Sequence, residues 1–221
     1  VRDLTVGVLQ EAVDRFGDRL VVACSFQKEE SVLLDLLLPI APAARVFTID
    51  TGVLFPETLE TWRAFEERWG VRVEVAEAKA DPPWTGNGHC CSGGAKAEAL
   101  GRALDGAEAW VTGLRREQAP TRATVETLAY DEAHGLWKVN PLADWTDKDV
   151  WAHIAAHDLP YNPLHDQGYA SIGCVPCTQP GAGREGRWAG QDKTECGLHE
   201  PATAGSDPRG GHGGVRPPAG V

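Results

Sequence analysis

The sequence predicts an α/β protein built on an open, mostly parallel sheet with flanking helices. Two observations carry that prediction. Short apolar, β-branched runs alternate with longer segments of helical periodicity from residue 4 to residue 157. The first of these runs, RLVVACSF, is short, apolar and β-branched at its centre, the look of a strand buried in a parallel sheet.

Leu4, Val8, Val13 and Phe16 recur near helical spacing, so 4–16 reads as an amphipathic helix. Arg19–Phe26 (RLVVACSF) has the composition of a buried parallel strand. Glu29–Leu38 reads as a helix stopped by Pro39, and Arg45–Asp50 (RVFTID) as a strand running into Thr51-Gly52. A helix over Pro56–Trp69 follows, with proline at a favourable first-turn position. Val71–Ala76 is the third strand, and a Pro- and Gly-rich loop then leads to Cys91. Helix Ala95–Leu104, strands Ala109–Leu114 and Leu136–Asn140, and helix Thr146–His157 complete the core. A parallel sheet of this kind takes ligands at the carboxyl ends of its strands. Ser25–Lys28, Asp50–Gly52 and Gly113–Arg116 are thereby expected on one rim.

The chain has 221 residues, enough for one well-cored domain with extensions. We expect an α/β core over 1–165, an irregular segment over 166–200 and a disordered tail over 201–221. That tail holds ten Gly or Pro in 21 positions. The net charge of −11 argues against broad nucleic-acid binding, which needs a basic face. It leaves room for a small anionic ligand if Lys28, Lys96, Arg115, Arg116, Arg122, Arg184 and Arg187 gather locally; dispersed, they are ordinary surface charges. No apolar run approaches a membrane span, and the N-terminus has no signal-peptide core, so a cytoplasmic location is expected. The absence of Met leaves two readings of Val1, a missing native start or an alternative start codon.

Six cysteines stand at 24, 90, 91, 174, 177 and 196. With no mark of secretion, metal or redox chemistry is the better expectation than structural disulfides. Cys90-Cys91 and Cys174-Val-Pro-Cys177 together supply four thiolates, a set that suits tetrahedral zinc or a cubane iron–sulfur centre. Adjacent cysteines strain the backbone if both must face one ion, whereas each can take a different iron of a cubane. A redox disulfide or buried thiols are the other readings of the spacing. Cys24, inside the first strand, reads as a small buried hydrophobe. Cys196, in Lys193-Thr-Glu-Cys-Gly-Leu-His199, is either an exposed, partly ionised thiol or an incidental one.

In order along the chain stand Ser25-Phe26 with Glu29-Glu30, Asp50-Thr-Gly-Val-Leu-Phe-Pro-Glu-Thr58, Cys90-Cys91, Thr112-Gly-Leu-Arg-Arg-Glu-Gln-Ala-Pro-Thr-Arg122, Asn140-Pro-Leu-Ala-Asp-Trp145, Cys174-Val-Pro-Cys177 and Glu195-Cys-Gly-Leu-His199. From about Val21 to His199 this pattern resembles the assimilatory sulfonucleotide reductases of the iron–sulfur, adenylyl-sulfate (APS) type. The resemblance implies a PP-loop (adenine nucleotide alpha hydrolase-like) fold with an irregular C-terminal active-site segment. It implies a [4Fe–4S] cluster on Cys90, Cys91, Cys174 and Cys177, and thioredoxin as the partner. It also implies that Cys196 attacks the sulfur of bound adenosine 5′-phosphosulfate, releasing AMP and leaving an S-sulfocysteine from which thioredoxin frees sulfite for cysteine synthesis. Matching positions nominate Ser25, Asp50, Gly52, Lys96, Arg115, Arg122, Arg184 and Arg187 for substrate, with His199 near the nucleophile. Arginine suits the task because its planar fork binds oxyanions bidentately.

Two departures stand out. The family's Cys-Cys-x-x-Arg-Lys-Val-x-Pro-Leu run is here Cys90-Cys-Ser-Gly-Gly-Ala-Lys-Ala-Glu-Ala-Leu100, with one inserted residue, Ala95 for the Arg and Ala99 for the Pro. One extra residue at a helix start turns a side chain by about 100°, which bears on Lys96. Gln27 and Lys28 occupy positions where small residues are common in the family. Alternatives from the sequence are a reductase of the 3′-phosphorylated nucleotide, a PP-loop ATP pyrophosphatase, and a zinc-stabilised nucleotide-binding module without catalysis. The missing Ser-Gly-Gly-x-Asp-Ser loop counts against the pyrophosphatase.

Overall fold

The computed structural model describes residues 1–78, 94–188, 195 and 198. Cys90, Cys91, Cys196, His199 and the tail 201–221 lie outside the described residues.

Helix α1 (Arg2–Phe16) buries Thr5, Leu9, Ala12 and Phe16, one stripe at helical spacing. Strand β1 (Leu20–Ala23) follows, then α2 (Lys28–Leu37), β2 (Arg45–Asp50) and α3 (Pro56–Trp69). Pro56 opens α3, where its missing N–H costs nothing, and Gly70 closes it in the left-handed conformation at φ 63°. After β3 (Val73–Glu77) come α4 (Ala95–Ala103), β4 (Ala109–Val111), β5 (Leu128–Asp131), β6 (Leu136–Val139) and α5 (Asp147–His157). The Thr146 hydroxyl caps α5 by accepting from the Asp149 amide.

The six strands lie in the order β3-β2-β1-β4-β6-β5. All neighbouring pairs are parallel except β5–β6, an antiparallel edge. Successive side chains of a strand face opposite layers. On one face Leu20 and Val22 pack with Leu9, Val32, Leu33, Phe65 and Ile154 from α1, α2, α3 and α5. On the other, Val21 packs with Phe47, Leu100, Leu104 and Trp110 beneath α4.

The expected first strand is trimmed to Leu20–Ala23. Cys24 still donates its amide to the Phe47 carbonyl, but Phe26 sits at φ 59°, a strained conformation for a non-glycine residue. Its ring is held there, fully buried, stacked on Trp62 and edge-on to Phe65. Strand β4 ends at Val111, before the expected Leu114, because Gly113 passes under α2. A Cβ there would lie 2.6 Å from Glu30 Oε1 and 2.9 Å from Glu29 Cβ.

Strand order reverses direction at β1, which leads to β2 on one side while β4 lies on the other. The loops after β1 and β4 therefore diverge at their carboxyl ends and leave a crevice.

Candidate active site

That crevice is a cavity of about 360 Å³. Its walls come from the turn after β1, Thr51 after β2, the Thr112–Arg115 stretch after β4, the first turns of α4, and the chain from Ala170 to Arg187. Ser25 lines it, and its hydroxyl donates to Glu30 Oε2, which also accepts from the Gln27 amide. Glu30 is buried beside Glu29, and burial first, then that neighbouring charge, push its carboxyl up to about 8. Asp50 shapes the loop rather than the wall: its carboxylate accepts from the Gly52 amide at 2.8 Å, and Gly52 takes φ 72°. Lys96, in the first turn of α4, lines the cavity.

The four buried cations, Lys28, Arg115, Arg122 and Arg187, and the partly exposed Arg184 divide by partner. Arg115 is buried and donates to Glu29 Oε1 at 2.8 and 3.0 Å, to Asp147 Oδ1 at 2.9 Å and to the Trp145 carbonyl at 3.2 Å. Lys28 joins the same group, 2.5 Å from Asp147 Oδ1. Burial raises the Asp147 carboxyl, but Lys28 and Arg115 outweigh it and hold the group below its ordinary range. Arg115 thus clamps α2 and α5 to the β4 loop.

Arg122 and Arg184 converge on Glu195, which the sequence analysis did not nominate. Arg122 makes a fork to both carboxylate oxygens at 2.9 and 2.8 Å, Arg184 adds 2.9 Å, and the Thr121 hydroxyl donates at 3.0 Å. Burial would raise the Glu195 carboxyl; the hydrogen bonds and charges of Arg122, with Arg184 and Thr121, bring it down. Only its place in the Glu195-Cys-Gly-Leu-His199 motif could have pointed to it.

Arg187 differs. Its side chain is buried and donates to the Ser171 hydroxyl at 3.2 Å and the Ile172 carbonyl at 3.0 Å, both neutral. Its Nε has no hydrogen-bond partner, and among the described residues no carboxylate pairs with it. The guanidinium is held between Gly173, where a Cβ would lie 2.5 Å from Nη2, and the Trp188 ring, 4.5 Å from its centroid. A buried cation with neutral partners is a place for an anion.

Cys174 and Cys177 flank a short 3₁₀ turn at the cavity edge, both buried and packed with Trp188, Val53 and Leu54. The Val175 amide donates to the Val53 carbonyl, and the Thr51 hydroxyl lies 3.2 Å from Cys174 Sγ. Two reduced sulfurs in an apolar niche with hydroxyl neighbours fit half of a thiolate-ligated centre. Cys24, also buried, has its thiol pushed well up by burial and then by Glu30, which suits the inert core role expected of it. Glu195 and Leu198 both reach the site. Leu198 lines the cavity and packs against the Leu100–Trp110 cluster. Cys196 lies between them in sequence.

Fold and cavity define an open α/β protein with an anion-accepting crevice at its topological switch point. Residues 19–180 match the phosphoadenosine phosphosulfate reductase domain, and the chain belongs to that family. It is 42% identical to an adenosine 5′-phosphosulfate reductase of Salinibacter ruber, over 93% of this chain and 86% of the relative. It is 44% identical to a phosphoadenosine 5′-phosphosulfate reductase of Gloeobacter violaceus, over 87% of each. The phosphate complex of phosphoadenylyl-sulfate reductase from Candida auris superposes with a TM-score of 0.68 at 28% identity, over 79% of this chain and 90% of that one. The PP-loop-like fold implied by the motifs is the fold observed.

Proposed function

We propose that this chain reduces adenosine 5′-phosphosulfate to sulfite and AMP, with thioredoxin as the electron donor. The observation that carries the reading is Arg187: a buried guanidinium with neutral partners, in a crevice that Arg122 and Arg184 also line. The names of the relatives at 42–44% identity supply the substrate class.

In this reading the Cys196 thiolate attacks the sulfonate sulfur. A sulfur–sulfur bond forms, the sulfur–oxygen bond to phosphate breaks, and AMP leaves with that electron pair. One thiolate of reduced thioredoxin then attacks Cys196 Sγ and expels sulfite. Its second thiol resolves the mixed disulfide, returning Cys196 as a thiol and leaving oxidised thioredoxin. Arg187 neutralises the phosphosulfate oxygens, work that fixed cations in a water-poor site do well. Lys96, in the first turn of α4, adds a further cation to the wall, and Ser25 with the α2 N-terminus contacts the nucleotide. Cys90, Cys91, Cys174 and Cys177 would hold a [4Fe–4S] cluster, which would polarise the site. His199 acts near the nucleophile.

A reductase of the 3′-phosphorylated nucleotide is the second reading, favoured by the 44% identity to the Gloeobacter violaceus protein of that name. One experiment separates the two: each nucleotide is incubated with the protein, thioredoxin and a reductant, and AMP (or its 3′-phosphate) and sulfite are assayed. A higher specificity constant for adenosine 5′-phosphosulfate is expected. No sulfite from either nucleotide, in protein with its full iron and sulfide content, would sink both readings.

A further inference from the structure

Away from the crevice, α2 and α5 bring three donor side chains together. His153 and His157 are one turn apart on α5, so they share a face, and their rings stack with centroids 4.2 Å apart. Asp35 of α2 faces both. His153 Nε2 is 2.8 Å from Asp35 Oδ2, and His157 Nδ1 is 3.6 Å from the same oxygen. The three donor atoms all lie within 4.8 Å of one another.

We propose that Asp35, His153 and His157 form a site for a borderline divalent transition metal, zinc foremost, that staples α2 to α5. Tetrahedral zinc with bonds near ~2.1 Å sets its donors about 3.4 Å apart. The observed 2.8 and 3.6 Å straddle that separation, and the two imidazole nitrogens, within 4.8 Å of each other, close to it with a shift of at most about 1.4 Å. Two imidazoles and one carboxylate are a donor set zinc accepts, with a fourth position open for water. His153 is buried against the edge of Trp145, which fixes its ring, while His157 is only half-buried and leaves a path for the ion. On binding, the His153 proton moves from Nε2 to Nδ1, and its hydrogen bond to Asp35 gives way to two metal bonds. Burial already keeps the His153 imidazolium below its ordinary range against the pull of Asp35, so the neutral ring that a metal needs prevails at neutral pH. Two cations are near: Arg68 donates to the His157 carbonyl at 3.3 Å, and Arg2 on α1 opposes a second positive charge as it opposes the imidazolium. The site shares no residue with the proposed reaction and stands whether or not that reading does.

The test uses the full chain as isolated, with its cysteine ligands loaded, titrated with zinc by calorimetry and with cobalt by absorption. Wild type should bind one more zinc per chain than His157→Gln, with a micromolar dissociation constant. That extra cobalt should show ligand-field bands without thiolate charge transfer. At zinc 100-fold above the dissociation constant the melting temperature should rise by about 5–10 °C in wild type. Neither His157→Gln nor Asp35→Asn should show the rise, while metal-free melting of His157→Gln stays near wild type. Equal zinc stoichiometry and affinity in wild type and His157→Gln, or no extra binding up to millimolar zinc, would overturn the proposal.

Discussion

Glu195→Gln is the most discriminating substitution at the crevice, because it changes charge with almost no change of shape. In the wild type one carboxylate receives four hydrogen bonds, three of them from Arg122 and Arg184. The amide keeps one acceptor oxygen and turns an NH₂ toward a guanidinium, leaving two buried cations adjacent without their counter-charge. Breaking a buried pair in this way costs about 3–5 kcal/mol. Residue 195 belongs to a terminal stretch whose release lets both arginines rehydrate, so local undocking caps the global loss. Melting should therefore shift little, while the contacts that hold residue 195, next in sequence to Cys196, weaken. We expect transfer of the sulfonate to Cys196 to slow by about 10²- to 10³-fold, the rate equivalent of that cost. Affinity for adenosine 5′-phosphosulfate should tighten, because Arg122 and Arg184 are released to the ligand. Single-turnover mixing without thioredoxin, followed by intact mass, reads both quantities, and Glu195→Asp should recover part of the rate. A Gln variant that acquires the adduct at the wild-type rate would refute the reasoning.

Three other outcomes are expected. Arg187→Ala should raise KM for the nucleotide about 10- to 10²-fold, the worth of a charge-assisted contact, with Arg187→Lys intermediate; an unchanged KM in steady-state assays would place the anion elsewhere. Cys196→Ser should abolish sulfite formation and the mass gain of about 80 Da expected for a covalent sulfonate, with iron content retained, and an adduct mapping to another cysteine would disprove its role. Glu30 keeps its proton in the folded protein up to about pH 8, whereas the unfolded chain releases it near pH 4.5. Stability should thus fall as pH rises through that window. Glu30→Gln should be more stable than wild type at pH 9 by on the order of 5 kcal/mol, with the gap closing near pH 5, in urea melts.

Local signals dictated much of the fold. The range of β2 coincides with expectation, and so does that of α3, where Pro56 and Gly70 punctuate the chain. Strand β5 was not expected: Leu128–Asp131 is a short edge, half-buried and paired only with β6, so it carries no apolar run. The overextended first and fourth strands have the opposite cause. Phe26 and Leu114 are apolar and buried, but one sits in a strained turn and the other follows a glycine pressed under α2. Of the residues that motif order nominated, Ser25, Lys96, Arg115, Arg122, Arg184 and Arg187 line the cavity, and Asp50 and Gly52 do not. Motif order could not separate the arginines, because pairing is set by the tertiary fold: Arg115 meets Glu29 from 86 residues away, and Arg122 meets Glu195 from 73.

That pairing bears directly on the charge a ligand meets. Five cations, Lys28, Arg115, Arg122, Arg184 and Arg187, line the cavity, all buried but Arg184, which is partly exposed. Against them, among the described residues, stand the carboxylates of Glu29, Asp147 and Glu195, which leaves an excess of two positive charges. Lys96 and Glu117 also line the wall and add one charge of each sign, Glu117 lying 3.6 Å from Arg115. A phosphosulfate anhydride carries two negative charges, so the cavity with its ligand would be neutral. The balance holds only while Glu30 keeps its proton, since its ionisation would remove one unit of the excess at the turn that Ser25 occupies. The burial of Glu30 against Glu29 is therefore more than a packing feature. A paired, exposed carboxylate at that position would spend half of the positive charge that the acidic chain gathers at this one place.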